Sequence, residues 1–425
     1  MSSRTGRQLP SSKLETEIAL KKIDPDDLSG TIRRCVELLG KPSEILPQKG
    51  SKVLIKPNLG WNKPWWTGTT TSPHFVEAIV GLLEETDPSK IIVGESPSIG
   101  MESVDGFQAN GFDRLEERGV ELLNLGRDEL VETRIPGESL LGSVLLPRTY
   151  LECDFFINVP VVKTHVNTCV TLSMKNLKGL LPSREKKRFH FLGLDRCIAE
   201  LASVIRHGLI IVDGEVGQEG MGPISGDPVE LGVVVCGRSP LLVDATCIEI
   251  MGMSLNEVKH LEIAEEIGLQ PSPMDAHLLG DPISSVSRLF KSPPKSLDEL
   301  YPGIRIVSGR ACSGCVGSLS VSLQRMKDAG ELDILEEKLG SVTIAVGPGA
   351  EVPKDAGGNL LIVGNCLKRH RSKGWFVPGC SPQGWFVRDV LRVMMGLEPL
   401  FASPSLMAES IPANDRPRDD YGNGG

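Results

Sequence analysis

The chain is most easily bounded by what it does not contain. It lacks the cysteine density of a disulfide scaffold, with ten cysteines in 425 residues. It lacks a run of 18 or more apolar residues, the length a membrane-crossing helix needs. Its start, MSSRTGRQLPSSKLETE, has no apolar core of a secretory signal, so a reducing cytoplasm is the expected compartment. Positive charge is in deficit: 46 Lys and Arg against 55 Asp and Glu give a formal charge of -9. That balance argues against broad binding to nucleic acid or an anionic membrane while leaving room for a small basic pocket. No G-K-[ST] ends a glycine-rich loop and no G-x-G-x-x-G opens a helix after a strand, which disfavours a Walker-type nucleotide site and standard dinucleotide binding. There is no fixed-period repeat, so a solenoid is excluded. No heptad stripe is present either, and the oligomeric state stays open.

What is present is alternation. Strand-like runs recur as SKVLIKPN, KIIVGES, CDFFINVP, GLIIVDG, LGVVVCG, GIRIVSG, VTIAVG and NLLIVGN. Between them lie helical patterns such as SPHFVEAIVGLLEET, LDRCIAELASVIRH and CVGSLSVSLQRMKDAG. The expected class is α/β: a mostly parallel sheet flanked by helices, with a second, smaller α/β domain carrying four cysteines. The proline-rich stretch LFKSPPKSLDELYPG sets the boundary, giving a first domain over 1–290, a small domain over 291–400 and a flexible tail over 401–425.

In such folds the chemistry gathers beyond the carboxyl ends of the strands. Polar residues do follow the apolar runs of the first domain: Lys56 and Asn58, then Glu95, then Asn158, Lys163 and His165, then Asp213. Thr70, Thr71 and Ser72 precede a helix whose free N–H groups suit an anion. The densest polar stretch, KTHVNTCVTLSMKNLKGLLPSREKKRFH, adds Lys175, Asn176, Lys178 and His190. Lysine holds a carboxylate or phosphate as a point charge, and histidine moves a proton near neutral pH. The expected catalytic set is Lys163, His165, Lys175, Asp213 and Glu95, with Lys56, Asn58, Ser72, Asn176 and His190 binding substrate. A satisfied core role for His165 is the alternative, and Lys186, Lys187 and Arg188 read as a solvated turn. Asp244, after the run PLLV, either binds a cation or caps a helix. Trp61, Trp65 and Trp66 wall a pocket or fill an interface between lobes.

The strongest chemical signal is sulfur. Cys312 and Cys315 form a C-S-G-C turn, and Cys366 in VGNC and Cys380 in VPGC stand alone on loops. Thiolates so placed suit a soft metal or an iron–sulfur cluster. A structural zinc site normally uses two close C-x-x-C pairs, so a [4Fe–4S] cluster is the first expectation, zinc the second and unliganded thiols the third. Cys35, Cys153, Cys169, Cys197, Cys236 and Cys247 lie in periodic apolar surroundings as small core residues.

Two resemblances are carried by these motifs. VLIKPN, TSP, VGES, NVPVVKTH, SMKNLKG, HFLGLDRCIAEL, LIIVDGEVGQEGMGPISGDP and LLVDATC together resemble the DUF362 family over residues 50–260. The resemblance implies an α/β domain often found beside iron–sulfur ligands, and maps family motif residues onto Lys56, Asn58, Glu95, Lys163, His165, Lys175, Asn176, Gly179, His190, Asp213 and Asp244. The ferredoxin-like double cysteine insert that members often carry is missing. RACSGCVGSL, VGNC and VPGCSP resemble the proximal [4Fe–4S] site of nickel–iron hydrogenase small subunits and the related complex I subunit, with Ser381 a departure from that pattern.

Three functional expectations follow. The first is an iron–sulfur oxidoreductase acting on an acidic or phosphorylated small molecule, with an acidic ferredoxin-like donor docking on Lys368, Arg369, Arg371 and Lys373. The second is a redox-neutral lyase or isomerase using Lys and His proton transfer. The third is a scaffold that assembles and passes on a metallocentre.

Overall fold

The computed structural model describes residues 13–99, 103–294, 297, 300–301, 303–353 and 359–412. The chain divides between Pro293 and Pro294 into two compact units.

The larger unit is built on a ten-stranded sheet. In chain order its strands are β1 (Glu17–Lys22), β2 (Lys52–Lys56), β3 (Lys90–Glu95) and β4 (Glu121–Asn124). After a separate two-stranded ribbon of β5 (Leu130–Arg134) and β6 (Ser143–Pro147) come β7 (Phe155–Asn158), β8 (Val161–His165), β9 (Cys169–Thr171), β10 (Leu209–Glu219), β11 (Asp227–Gly237) and β12 (His277–Gly280). The spatial order is β12-β1-β11-β10-β7-β2-β3-β4, with β8 and β9 branching from β10. Pairing is parallel except at β1–β11, β10–β11 and β8–β9. The expected mostly parallel α/β class is therefore what the chain forms.

Alternate residues of the strands feed two cores, one on each face of the sheet. Leu54, Ile92, Phe156, Ile210 and Val212 belong to one, Val53, Ile55, Ile91, Ile157 and Ile211 to the other. This is the two-residue period of a strand covered on both sides. The helices Leu194–Ala202 and Pro240–Ile250 pack on the first face, and Leu28–Leu38 and Pro73–Glu84 on the second.

The run CDFFINVPVVKTH is two strands, β7 and β8, because Pro160 has no N–H to donate to a ladder. β10 exploits the break: it pairs with β7 at Leu209 and Ile210, then with β8 from Asp213 to Gln218. PLLVDATC, read above as strand followed by acid, is helical. Ser239 accepts from the Leu242 N–H and Pro240 occupies the first helical turn, a strong start signal that places Asp244 inside the helix.

The smaller unit carries an all-parallel four-stranded sheet, β13 (Ile304–Ser308), β14 (Val342–Val346), β15 (Leu360–Val363) and β16 (Trp375–Val377), in sequential order. The chain past residue 400 is not yet tail: Asp389 accepts from the amides of Leu400, Phe401 and Ala402, and Pro404–Ser410 is a helix burying Met407. Residues 413–425, most of the expected tail, lie outside the described residues.

Candidate functional site

The polar residues expected to line one cleft sort into three groups with different chemistry. The first is a closed network. Lys56, fully buried at the end of β2, donates to Glu95 Oε2 at 2.8 Å, Pro57 O at 2.7 Å and Asn176 Oδ1 at 3.2 Å. Glu95 also accepts from Leu59 N at 3.2 Å and Ser96 N at 2.9 Å. Asn176 passes the chain on to Asn158 Oδ1 at 2.8 Å. Burial lowers the Lys56 pKa and the Glu95 charge opposes that shift. Three donors meet three acceptors, so Lys56 holds the ends of β2 and β3 together instead of binding substrate, and Glu95 is its partner and not an orienter of His165. Gly179 is required here, because a Cβ would lie 2.0 Å from Glu95 Oε1 and 2.4 Å from Lys56 Nζ.

The second group is acidic. Asp213 lies within β10, not after it, and accepts from Ser72 N at 2.7 Å and Glu215 N at 3.1 Å. Ser72 caps Pro73–Glu84, its Oγ accepting from Phe75 N at 3.4 Å, and its side chain acts to lower the pKa of Glu215. The helix start expected to seat an external anion is thus filled by the chain's own carboxylates. Burial first, and then the neighbouring Glu215, push Asp213 up to about 8, and burial raises Glu215 too. Glu215, absent from the sequence expectation, sits where the β10–β11 register shifts, and such a bulge re-aims a side chain. The D-x-E spacing on one strand was its only mark in the sequence.

The third group is cationic. Lys163 is buried on β8 and donates to Asn58 Oδ1 at 3.1 Å and Thr69 O at 2.5 Å; burial lowers it to about 7. His165, at the end of the same strand, accepts the Asn167 N–H on Nδ1 at 3.0 Å. Burial, then Lys175, Lys178, Lys163 and His190, hold its pKa well below the ordinary 6.5. The ring is therefore neutral with its proton on Nε2, where it is a hydrogen-bond donor. Lys175 donates to Thr171 Oγ1 at 3.3 Å, and burial followed by the charges of Lys178 and Lys163 depresses it well below 10.5. Lys178 and His190 Nε2 are 3.3 Å apart; burial lowers them to about 8 and about 2. Lys178, three residues beyond Lys175 and part of the same neighbourhood, belongs with the candidates.

Other expectations resolve locally. Lys186 is buried, not solvated: it donates to Ser96 O and Pro97 O, both at 2.6 Å, and to Ser96 Oγ at 3.1 Å. The Ser183–Leu192 helix turns it inward while Lys187 stays exposed. Asp244 accepts from Ser173 Oγ at 2.6 Å, Ser173 N at 2.7 Å and Met174 N at 3.0 Å, the capping alternative. Trp65 stacks edge-on with Trp66 and His74, and Trp66 is exposed.

In the smaller unit the four expected cysteines stand at connected positions. Cys312 follows β13, Cys315 lies in the first turn of Ser313–Asp328, Cys366 follows β15 and Cys380 follows β16. All are free thiols; Cys315 is buried and Cys366 and Cys380 are exposed. The sulfurs of Cys315 and Cys366 each lie 3.5 Å from where a Cβ on Gly364 would stand, and Gly364 has φ +95°. The Cys315 thiol holds Cys312 down to about 6, while Cys312, burial and the nearby Cys366 and Cys380 push Cys315 up. Among the described residues no three His, Cys, Asp or Glu side chains converge at direct metal-binding distance. The donor set itself, four sulfurs in one neighbourhood with one disposed to be thiolate, fits a thiolate-held metal centre.

Residues 53–249 match the model of DUF362, a domain of unknown function. The match bears out the DUF362 resemblance and does not reach the cysteines of the smaller unit, and the matched segment contains all three polar groups. A thylakoid-associated protein of Synechocystis sp. is 28% identical over 253 residues, covering 58% of this chain and 76% of that relative. A Thermotoga maritima protein of known crystal structure shares 11% identity at a TM-score of 0.38, over 71% of this chain and 69% of the other. The lactate racemase apoprotein of Thermoanaerobacterium thermosaccharolyticum shares 12% identity at a TM-score of 0.36, over 92% and 83%. Among the described residues no helix is long and apolar enough to cross a membrane.

Proposed function

We propose that the chain is an iron–sulfur oxidoreductase acting on an acidic or phosphorylated small molecule in a reducing compartment such as the cytoplasm. The observation that carries this reading is the gathering of Cys312, Cys315, Cys366 and Cys380 into one electrostatic neighbourhood from three different strand ends. These four would hold a [4Fe–4S] cluster, with zinc the alternative occupant, and the cluster would supply one-electron chemistry. The hydrogenase-like cysteine pattern supports the same assignment. Lys368, Arg369, Arg371 and Lys373 are exposed between Cys366 and Cys380 and offer positive charge to an acidic ferredoxin-like donor.

In the DUF362 domain, Lys163, Lys175 and Lys178 hold the substrate anion. His165 donates its Nε2–H to an oxygen of that anion, and Lys175, whose burial and neighbouring Lys178 and Lys163 disfavour the ammonium form, accepts a proton. The depressed Lys175 also supports a second reading, a redox-neutral lyase or isomerase in which the same amine abstracts a proton. Anaerobic purification decides first: about four irons per chain and a broad absorption near about 400 nm are expected. Protein that is iron-free after anaerobic reconstitution, with all four thiols reactive, overturns the oxidoreductase. Cluster oxidation state that never changes while a substrate's C–H exchanges with solvent selects the lyase.

A further inference from the structure

The buried lysines of the DUF362 domain divide by their partners. Lys56 has Glu95, and Lys186 has two carbonyls and a hydroxyl. Lys163, Lys175 and Lys178 have no carboxylate within ion-pairing distance among the described residues. Lys163 uses two donors on Asn58 and Thr69 and keeps one. Lys175 uses one on Thr171 and keeps two. Lys178 meets the imidazole of His190 and lies 6.0 Å from the centre of the Phe189 ring. The carboxylate whose charge Lys175 does sense, Asp195, is engaged by His260 at 3.3 Å.

These groups share one place. Lys163 and His165 alternate along one face of β8, opposite Thr171 and Cys169 of β9. Lys175 and Lys178 follow in the short helical turns after β9, Ser173–Asn176 and Leu177–Leu180. Lys163 and His165 are buried, while Lys175, Lys178 and His190 are half-buried. Several ammonium groups withdrawn from water without a counter-charge are strongly unfavourable. A single carboxylate would answer one of three ammonium groups. A phosphoryl group concentrates two charges on three oxygens and offers acceptors to all three lysines and to the His165 Nε2–H together.

We propose that Lys163, Lys175, Lys178 and His165 form a binding site for a phosphoryl dianion, so that the acidic substrate of the reading above is a phosphorylated one. Binding favours the charged form of Lys163 and Lys178, and leaves Lys175 to accept a proton. Lys163 and Lys178, lowered by burial to about 7 and about 8, then take up protons as the anion enters.

The experiment is calorimetric titration of the purified full chain with inorganic phosphate near pH 8, in two buffers of different ionisation enthalpy, with acetate and malonate as comparators. Saturable phosphate binding with net proton uptake is expected, at least about tenfold tighter than either comparator. Lys175→Gln and Lys178→Gln should each weaken phosphate about tenfold or more, Lys178→Arg should restore most of it, and Lys49→Gln, on the exposed surface, should change nothing. Melting curves identify any variant that has not folded, and the arginine variant keeps the test decisive in that event. Acetate or malonate binding as tightly as phosphate, no saturation by about 50 mM phosphate, or glutamine variants binding like the parent would each overturn the proposal. Iron content is read on the same preparations. Iron without phosphate binding sinks this inference alone, and phosphate binding without iron sinks only the oxidoreductase.

Discussion

Gly179→Ala is the sharpest single test of the buried network. The new methyl would stand 2.0 Å from Glu95 Oε1, 2.4 Å from Lys56 Nζ and 2.4 Å from Lys56 Cε, well inside any tolerated contact. Neither partner can step aside cheaply, since Glu95 is held by Leu59 N and Ser96 N and Lys56 by Pro57 O and Asn176 Oδ1. Parting a buried ion pair costs about 3–5 kcal/mol, because each charge is left without its partner. Gly81→Ala is the control. Gly81 lies inside the Pro73–Glu84 helix, where the nearest atom to a new Cβ is a flexible Arg118 nitrogen at 3.6 Å. There alanine should stabilise by about 0.5–1 kcal/mol. Urea unfolding of the full chain, followed through the transition of the larger unit, reads both. Adding Glu95→Gln to Gly179→Ala should cost far less than in the parent, because the pair is already broken. A Gly179→Ala variant within about 1 kcal/mol of the parent would refute the claim that this glycine exists to admit the pair.

Further outcomes follow from the same geometry. Cys366→Ala and Cys380→Ala should each lower iron per chain after anaerobic reconstitution, while Cys153→Ala, remote in sequence and in the other unit, should leave it unchanged. Lys163 titrates at about 7 in the fold against 10.5 ordinarily, so the unfolded chain holds more protons between those values and stability rises with pH across that window. Lys163→Met should flatten that rise in urea midpoints measured from pH 7 to pH 10. Asp213 runs oppositely: raised from 3.8 to about 8, it makes the fold hold the extra proton, so stability falls as pH climbs between those values. Asp213→Asn should remove that fall and raise the melting temperature at pH 8.

Most of the architecture was legible because the strands announce themselves. Eight apolar runs bounded by glycine, proline or asparagine are strands, and their alternation with amphipathic helices gave the parallel class. Short or polar strands such as β8 and β9 were hidden, since Lys163 and His165 carry little strand signal and β9 is only three residues long, and both strands find their place through tertiary pairing. The site was legible as a list of residue types and not as an arrangement. Their shared position after apolar runs suggested that Lys163, His165, Glu95 and Asp213 act together, yet hydrogen bonds commit Glu95 to Lys56 and Asp213 to Ser72. Lys186 illustrates the limit plainly: in a run of basic residues, only the helix phase decides which one turns inward.

The change of partner along β10 has a mechanical consequence. Asp213 stands opposite Val161 and Gln218 opposite Lys163, and the register of β10 against β8 shifts between those two pairs. The extra residues that β10 places between them separate the two alignments, so the acidic pair and Lys163 each keep a register of their own on a single strand.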